Sequence, residues 1–158
     1  MNKLLIFATA LLVCISCSKK TFDITGIWQD SPMVGSGWTD TYQFFGNGSF
    51  KFNYNQMKCD KRTIALIGDW KIDNDGILSL AINQKIIHEG GVLIPAKGSC
   101  ASEFEIDGGE IKTIELNIPE KLQIKLDDFK IDKEQADREC VNFDTRRYWR
   151  INTNPDAY

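Results

Sequence analysis

Histidine is nearly absent: His88 is the only one in 158 residues. A multi-His metal centre or catalytic relay therefore has no residues to build it. Charge of one sign is equally scarce. The 19 basic and 22 acidic side chains leave a formal net charge of −3 and a pI near 5.2, so there is no basic field to hold nucleic acid. No apolar run reaches the roughly 20 residues with which a helix crosses a bilayer; Leu4 to Val13 is ten residues long. A phosphate loop, a dinucleotide fingerprint, a G-x-S-x-G elbow and EF-hand spacing are all missing. His88 beside Glu89 reads as a surface residue, and Glu103 and Glu105 as a charged stripe. The expectation is a protein that is not an enzyme, with no metal and no cofactor. What is present is a folding composition, 42% hydrophobic and 11% aromatic, of a length that suits one domain.

The amino terminus is read as an address. Lys3 precedes the apolar run, whose length suits a secretory signal. The run ends in Cys14-Ile15-Ser16-Cys17. This segment resembles a bacterial lipobox, with Cys14 where that pattern usually has leucine. The resemblance implies cleavage after Ser16 and acylation of Cys17 with palmitate-type chains, several of which anchor far better than one. Ser18-Lys19-Lys20 is similar to the export spacer of surface lipoproteins in Bacteroidota, although those favour acidic residues there. The expected organisation is a signal peptide over 1–16, an acylated anchor and short linker over 17–21, and one domain over 22–158. The expected location is the cell envelope, lipid-anchored at the outer membrane, with the leaflet left open. Removing residues 1–16 takes away Lys3 and no acid, leaving 18 basic and 22 acidic side chains, a net of −4. Tight docking to anionic lipid heads is not expected from that balance.

From Thr21 onward, side chains alternate with period two between closely spaced turn signals. Thr39 to Phe45 and Ser49 to Asn55 flank Gly46-Asn47-Gly48; Arg62 to Asp73 and Ile77 to His88 flank Asn74-Asp75-Gly76. Strands are also read at Ile24 to Gln29, Val92 to Ala96, Ser102 to Ile106, Glu110 to Ile118, Lys121 to Leu126 and Arg147 to Ile151, with a break at Pro119-Glu120. Lys133 to Cys140 reads as one short helix. Tight turns impose antiparallel neighbours, and one apolar face must be buried. The expectation is an all-β fold: an antiparallel up-and-down barrel of about eight to ten strands, since closure also removes the sheet edges.

Gly26-Ile27-Trp28 on the first strand resembles the Gly-x-Trp of lipocalins, and Tyr148-Trp149-Arg150 resembles the late segment whose arginine covers that tryptophan. The rhythm of the chain through Phe44 to Gly76 is similar to bacterial lipocalin-like lipoproteins. The resemblance implies structural roles for Gly26, Trp28 and Arg150, with Arg147 or Arg150 stacked on the indole that plugs a closed end. It also implies a container for a small apolar ligand. Tyr42, Phe44, Phe50, Phe52, Tyr54 and Trp70 cluster on three successive strands and are the candidate lining. The alternative is a solid barrel whose loops, with Met33 and Trp38, bind an envelope protein or glycan. Beyond Cys17, three mature thiols remain, and an exported compartment permits a disulfide. Counting strands alternately up and down places Cys59 and Cys140 at the same end and Cys100 at the other, so Cys59–Cys140 is the expected bridge.

Overall fold

The computed structural model describes residues 23–35, 37–98 and 100–158, and the signal and anchor segments, with Cys17, lie outside them. Among the described residues there are ten strands: β1 (Gly26–Gln29), β2 (Thr41–Phe44), β3 (Ser49–Asn53), β4 (Thr63–Ile72), β5 (Ile77–Glu89), β6 (Val92–Pro95), β7 (Phe104–Asp107), β8 (Glu110–Asp132), β9 (Arg138–Phe143) and β10 (Arg146–Asn152). Eight of them close into an antiparallel ring in the order β1-β2-β3-β4-β5-β8-β9-β10, with β10 returning to β1. The all-β, up-and-down reading of the alternation therefore holds. Among the described residues no helix is long and apolar enough to cross a membrane.

Local chemistry accounts for the hairpins. The Asn47 side chain accepts from the Ser49 amide, and Gly48 takes φ of 86°, so the chain reverses tightly between β2 and β3. That reversal sets Tyr42 opposite Phe52 and Phe44 opposite Phe50. Cross-strand aromatic pairs of this kind hold a hairpin together. In the next turn Asp73 accepts from the amides of Asp75 and Ile77. The interior is filled by Trp28, Phe44, Phe50, Leu78, Leu80, Ile124, Val141 and Phe143 and their neighbours, all buried.

Three expectations need correction. The segment Lys133 to Cys140 is not a helix. Only Lys133–Gln135 forms a 3-10 turn, and Ala136 and Asp137 then sit at positive φ (57° and 55°), which ends it after one turn. Arg138 to Phe143 is instead β9, which the ring needs to join β8 to β10. Second, Pro119 does not break the chain. β8 runs from Glu110 to Asp132, and the pairing steps from Gln84↔Glu115 to Ile82↔Glu120. The proline thus falls within a bulge, where no ladder N–H is required of it.

Third, β6 and β7 are not strands of the ring. They are the far half of the long β5–β8 hairpin. The register Glu89↔Glu110 continues as Val92↔Asp107. Between those pairs stand Gly90-Gly91 and Gly108-Gly109, all four at positive φ (71°, 66°, 71° and 87°). Left-handed geometry at adjacent positions of both strands folds the ribbon over, and glycine alone adopts it without a Cβ penalty. Arg62 fastens the bend, its guanidinium donating to the carbonyls of His88, Gly90 and Gly91, and His88 Nε2 donates to the Gly108 carbonyl at 2.7 Å. The folded arm lies on the β3–β4 loop, where Ala101 N donates to Met57 O (2.7 Å) and Ile106 N to Cys59 O (3.2 Å). The disulfide is accordingly Cys59–Cys100, not Cys59–Cys140. Cys140 is a buried free thiol within β9. Counted as staves of the ring, the arm's two strands place Cys100 at the wrong end.

Candidate functional site

The two ends of the ring differ. At one end, Trp28 is fully buried. Its indole N–H donates to the Ile24 carbonyl at 2.8 Å, the Phe129 ring meets it edge-on at 6.0 Å, and the Arg150 guanidinium lies 4.8 Å above its face. Arg150, rather than Arg147, is thus the covering residue. Gly26 precedes it with φ of 126°, and a Cβ there would lie 2.4 Å from the Asn152 carbonyl oxygen, so that β1 and β10 meet only because the side chain is absent. This closed end is also where the described chain begins, at Asp23.

The opposite end is open. It is bounded by the β1–β2 loop, the β3–β4 loop and the Asp144-Thr145 turn. A cavity of about 300 Å³ opens there, walled by Tyr42, Phe52, Tyr54, Phe143 and Tyr148, with Leu122 and Ile124 from β8 and Asp40, Asp144 and Arg146 at the rim. The aromatic rings are mutually packed. Tyr42 is 4.4 Å from Phe52 and 5.4 Å from Tyr148, and Phe143 stacks on Tyr148 at 4.8 Å.

The rim is charged, and Arg146 bridges two of its carboxylates. Arg146 Nη1 lies 2.7 Å from Asp40 and 3.3 Å from Asp30. Thr39 donates to the other oxygen of Asp30, and the Asn55 amide to that of Asp40 at 2.9 Å. Burial, followed by the neighbouring Asp40 charge, raises the Asp30 carboxyl above the ordinary range, and Arg146 opposes this. Lys61 sits 3.5 Å over the Tyr54 ring, and burial lowers its ammonium. Burial pushes the Tyr148 phenol up to about 12.

No family model, curated protein or solved structure matches this chain. The site therefore stands on its own geometry. Of the six aromatics expected to line it, Tyr42, Phe52 and Tyr54 reach the cavity. Phe44 and Phe50 are buried in the filled interior, and Trp70 packs edge-on against Phe44 at 5.5 Å with its indole N–H donating to Phe45 O. Sequence reasoning missed Asp40, Leu122, Ile124, Phe143, Asp144, Arg146 and Tyr148. A signal existed for two of them: period two from Arg150 runs back through Tyr148 to Arg146, placing all three on one face. Phe143 follows directly on Lys133 to Cys140, whose residues read as helix, which hides its strand.

The Arg146 bridge makes a titration prediction. In Arg146→Gln, Asp30 loses the charge that holds its carboxyl down, so it is expected to titrate higher still. A carboxylate raised in the folded state favours folding below its unfolded value and loses that contribution as pH rises through its folded value. The variant should therefore fall in stability, relative to the parent, as pH rises through the Asp30 titration. A carboxyl-detected NMR titration with parallel melts checks it; an Asp30 pKa that stays put or drops would refute it.

Proposed function

We propose that this chain is a non-catalytic lipoprotein of the cell envelope, held at the outer membrane by acyl chains on Cys17. On this reading the lipocalin-like barrel binds one small, mainly apolar ligand in the mouth of the ring. The observation that carries it is the cavity of about 300 Å³ with five aromatic rings in its wall. That volume is at the lower bound of pockets that take small molecules. Because the rest of the interior is packed, the ligand occupies the mouth rather than the depth of the barrel. The chain emerges at the other end, so an acylated Cys17 would leave the mouth pointing away from the membrane.

A second reading, a loop-borne module for an envelope protein or glycan, is favoured by Met33 and Trp38, 77% and 61% exposed on the β1–β2 loop. Titration of naphthalene into the full chain, held in lipid nanodiscs and corrected against empty discs, separates the two. Saturable binding of one molecule per chain is expected. Leu122→Trp, which fills the cavity from a position already 42% exposed, should weaken it by about tenfold or more, equivalent to 1.4 kcal/mol. Absence of saturable binding would leave the second reading. Metabolic labelling with a fatty acid, lost in Cys17→Ser, tests the anchor.

A further inference from the structure

We infer that the β3–β4 loop carries a second binding site, for a small organic ligand bearing an oxyanion, carboxylate or phosphate, held between Lys58 and Lys61. The site is a cavity of about 260 Å³ that shares only Tyr54 with the mouth. The polar side chains on its wall are Tyr54, Asn55, Gln56, Lys58, Lys61 and Thr63, and none of them is a carboxylate. Lys61 N donates to the Lys58 carbonyl at 3.1 Å, so Lys58 to Lys61 is one tight turn with a lysine at each end. The Cα atoms at the ends of such a turn lie within about 7 Å. The turn is fixed in place. Its Cys59 is bridged to Cys100, and the Met57 and Cys59 carbonyls accept from the Ala101 and Ile106 amides of the folded arm.

Two ammonium groups held this close repel each other unless an anion lies between them. Neither lysine forms an ion pair among the described residues. Asp40 and Asp60 act on Lys61 only through space, and Asp40 is itself bridged by Arg146 at 2.7 Å. Lys61 is half-buried, its ammonium 3.5 Å over the Tyr54 ring. Burial lowers its pKa and the Lys58 charge lowers it further, and an anion bound beside it would oppose both. The rest of the wall offers donors. Asn55 spends its side-chain oxygen on the Met57 amide at 2.8 Å, which leaves its amino group. A cationic ligand would meet two like charges, and a neutral one would leave them uncompensated. A carboxylate or phosphate accepts from both ammonium groups at once, in charge-assisted bonds stronger than neutral ones. Ile64 and the disulfide give the cavity an apolar side, which suits an organic body. Its volume of about 260 Å³ equals roughly nine waters of liquid, room for an oxyanion carried on one ring.

Four one-ring probes test this on the full chain in phosphatidylcholine nanodiscs: benzoate, phenyl phosphate, benzyl alcohol and benzylammonium, each followed by the NMR shifts of the Lys58 to Thr63 amides. Benzoate and phenyl phosphate are expected to bind saturably, and the tighter of the two tells a carboxylate source from a phosphate one. The alcohol and the ammonium should bind at least about fivefold more weakly, the scale of one exposed ion pair. Lys58→Gln and Lys61→Gln should each weaken the better anion by about fivefold, and Lys61→Arg, which keeps the charge, by less. Lys133→Gln removes the same charge from the exposed 3-10 turn after β8 and should leave anion binding as it is. Added salt should weaken the anions and spare the alcohol. No saturable binding of either anion, or a benzylammonium that binds as tightly, would overturn the inference. So would anion binding that neither glutamine variant of the loop alters. The mouth is tested separately, by naphthalene.

Discussion

Trp28→Ala is expected to lower the unfolding free energy by about 3–5 kcal/mol, the range for removing a large aromatic from a packed interior. The side chain is completely buried, and the change deletes more than volume. It removes the donor to the Ile24 carbonyl, which ties the segment before β1 to the closed end. It also strips the surface beneath the Arg150 guanidinium. Arg150 Nη1 would keep its ion pair with Glu139 at 2.9 Å, but the guanidinium would roof an empty space, and its Nε already lacks a partner among the described residues. Trp28→Phe keeps most of the apolar area and should lose less than half as much. Equilibrium urea unfolding measures both. A loss below about 1.5 kcal/mol for the alanine variant would mean that the closed end is not a plug, because well-packed sites do not collapse so cheaply.

Loss of the Cys59–Cys100 bridge is the second large effect. The two cysteines are 41 residues apart, and closing a loop of that length restricts the unfolded chain enough to contribute about 2–4 kcal/mol. Cys59→Ser, Cys100→Ser and the double variant should all be destabilised by that amount, and equally, since each removes the same link. The arm should also loosen. The amides of Ala101 and Ile106, which bond across to the β3–β4 loop, are expected to exchange with solvent sooner than the ring strands. Thiol labelling of the unreduced, denatured protein should tag Cys140 and spare Cys59 and Cys100. An unchanged denaturation midpoint in Cys100→Ser, or a label on Cys100 in the unreduced parent, would refute the pairing. Because the bridge fastens the loop carrying Lys61 beside the mouth, reduction should also blur the binding of apolar probes there.

Much of the architecture was readable from short stretches of chain. Alternation along Phe50, Phe52 and Tyr54, and the Asn and Gly residues in the turns, specify strands, reversals and sidedness through contacts only a few residues apart. The Gly-x-Trp start and the late arginine were legible for a similar reason, since an unusual backbone position and a large indole each leave a residue-level mark. Three of the ten residues lining the mouth could be found the same way, because Tyr42, Phe52 and Tyr54 belong to one hairpin and its continuation.

The remainder depended on which distant segments meet. A two-stranded ribbon keeps its register through a bend, so Val92 to Asp107 looks in sequence like two more staves, and only the folding over at four glycines removes them from the ring. That single event carries Cys100 back to Cys59 and leaves Cys140 alone inside β9. Ring closure likewise recruits Arg138 to Phe143 as a strand although Lys133 to Cys140 reads locally as helix, because the β8 and β10 edges would otherwise stay unpaired. The cavity wall is complete only where β2, β3, β8, β9 and β10 converge. Side-chain alternation is a property of neighbours in the chain; closure, pairing of thiols and the shape of a mouth are properties of neighbours in space, and no local pattern encodes them.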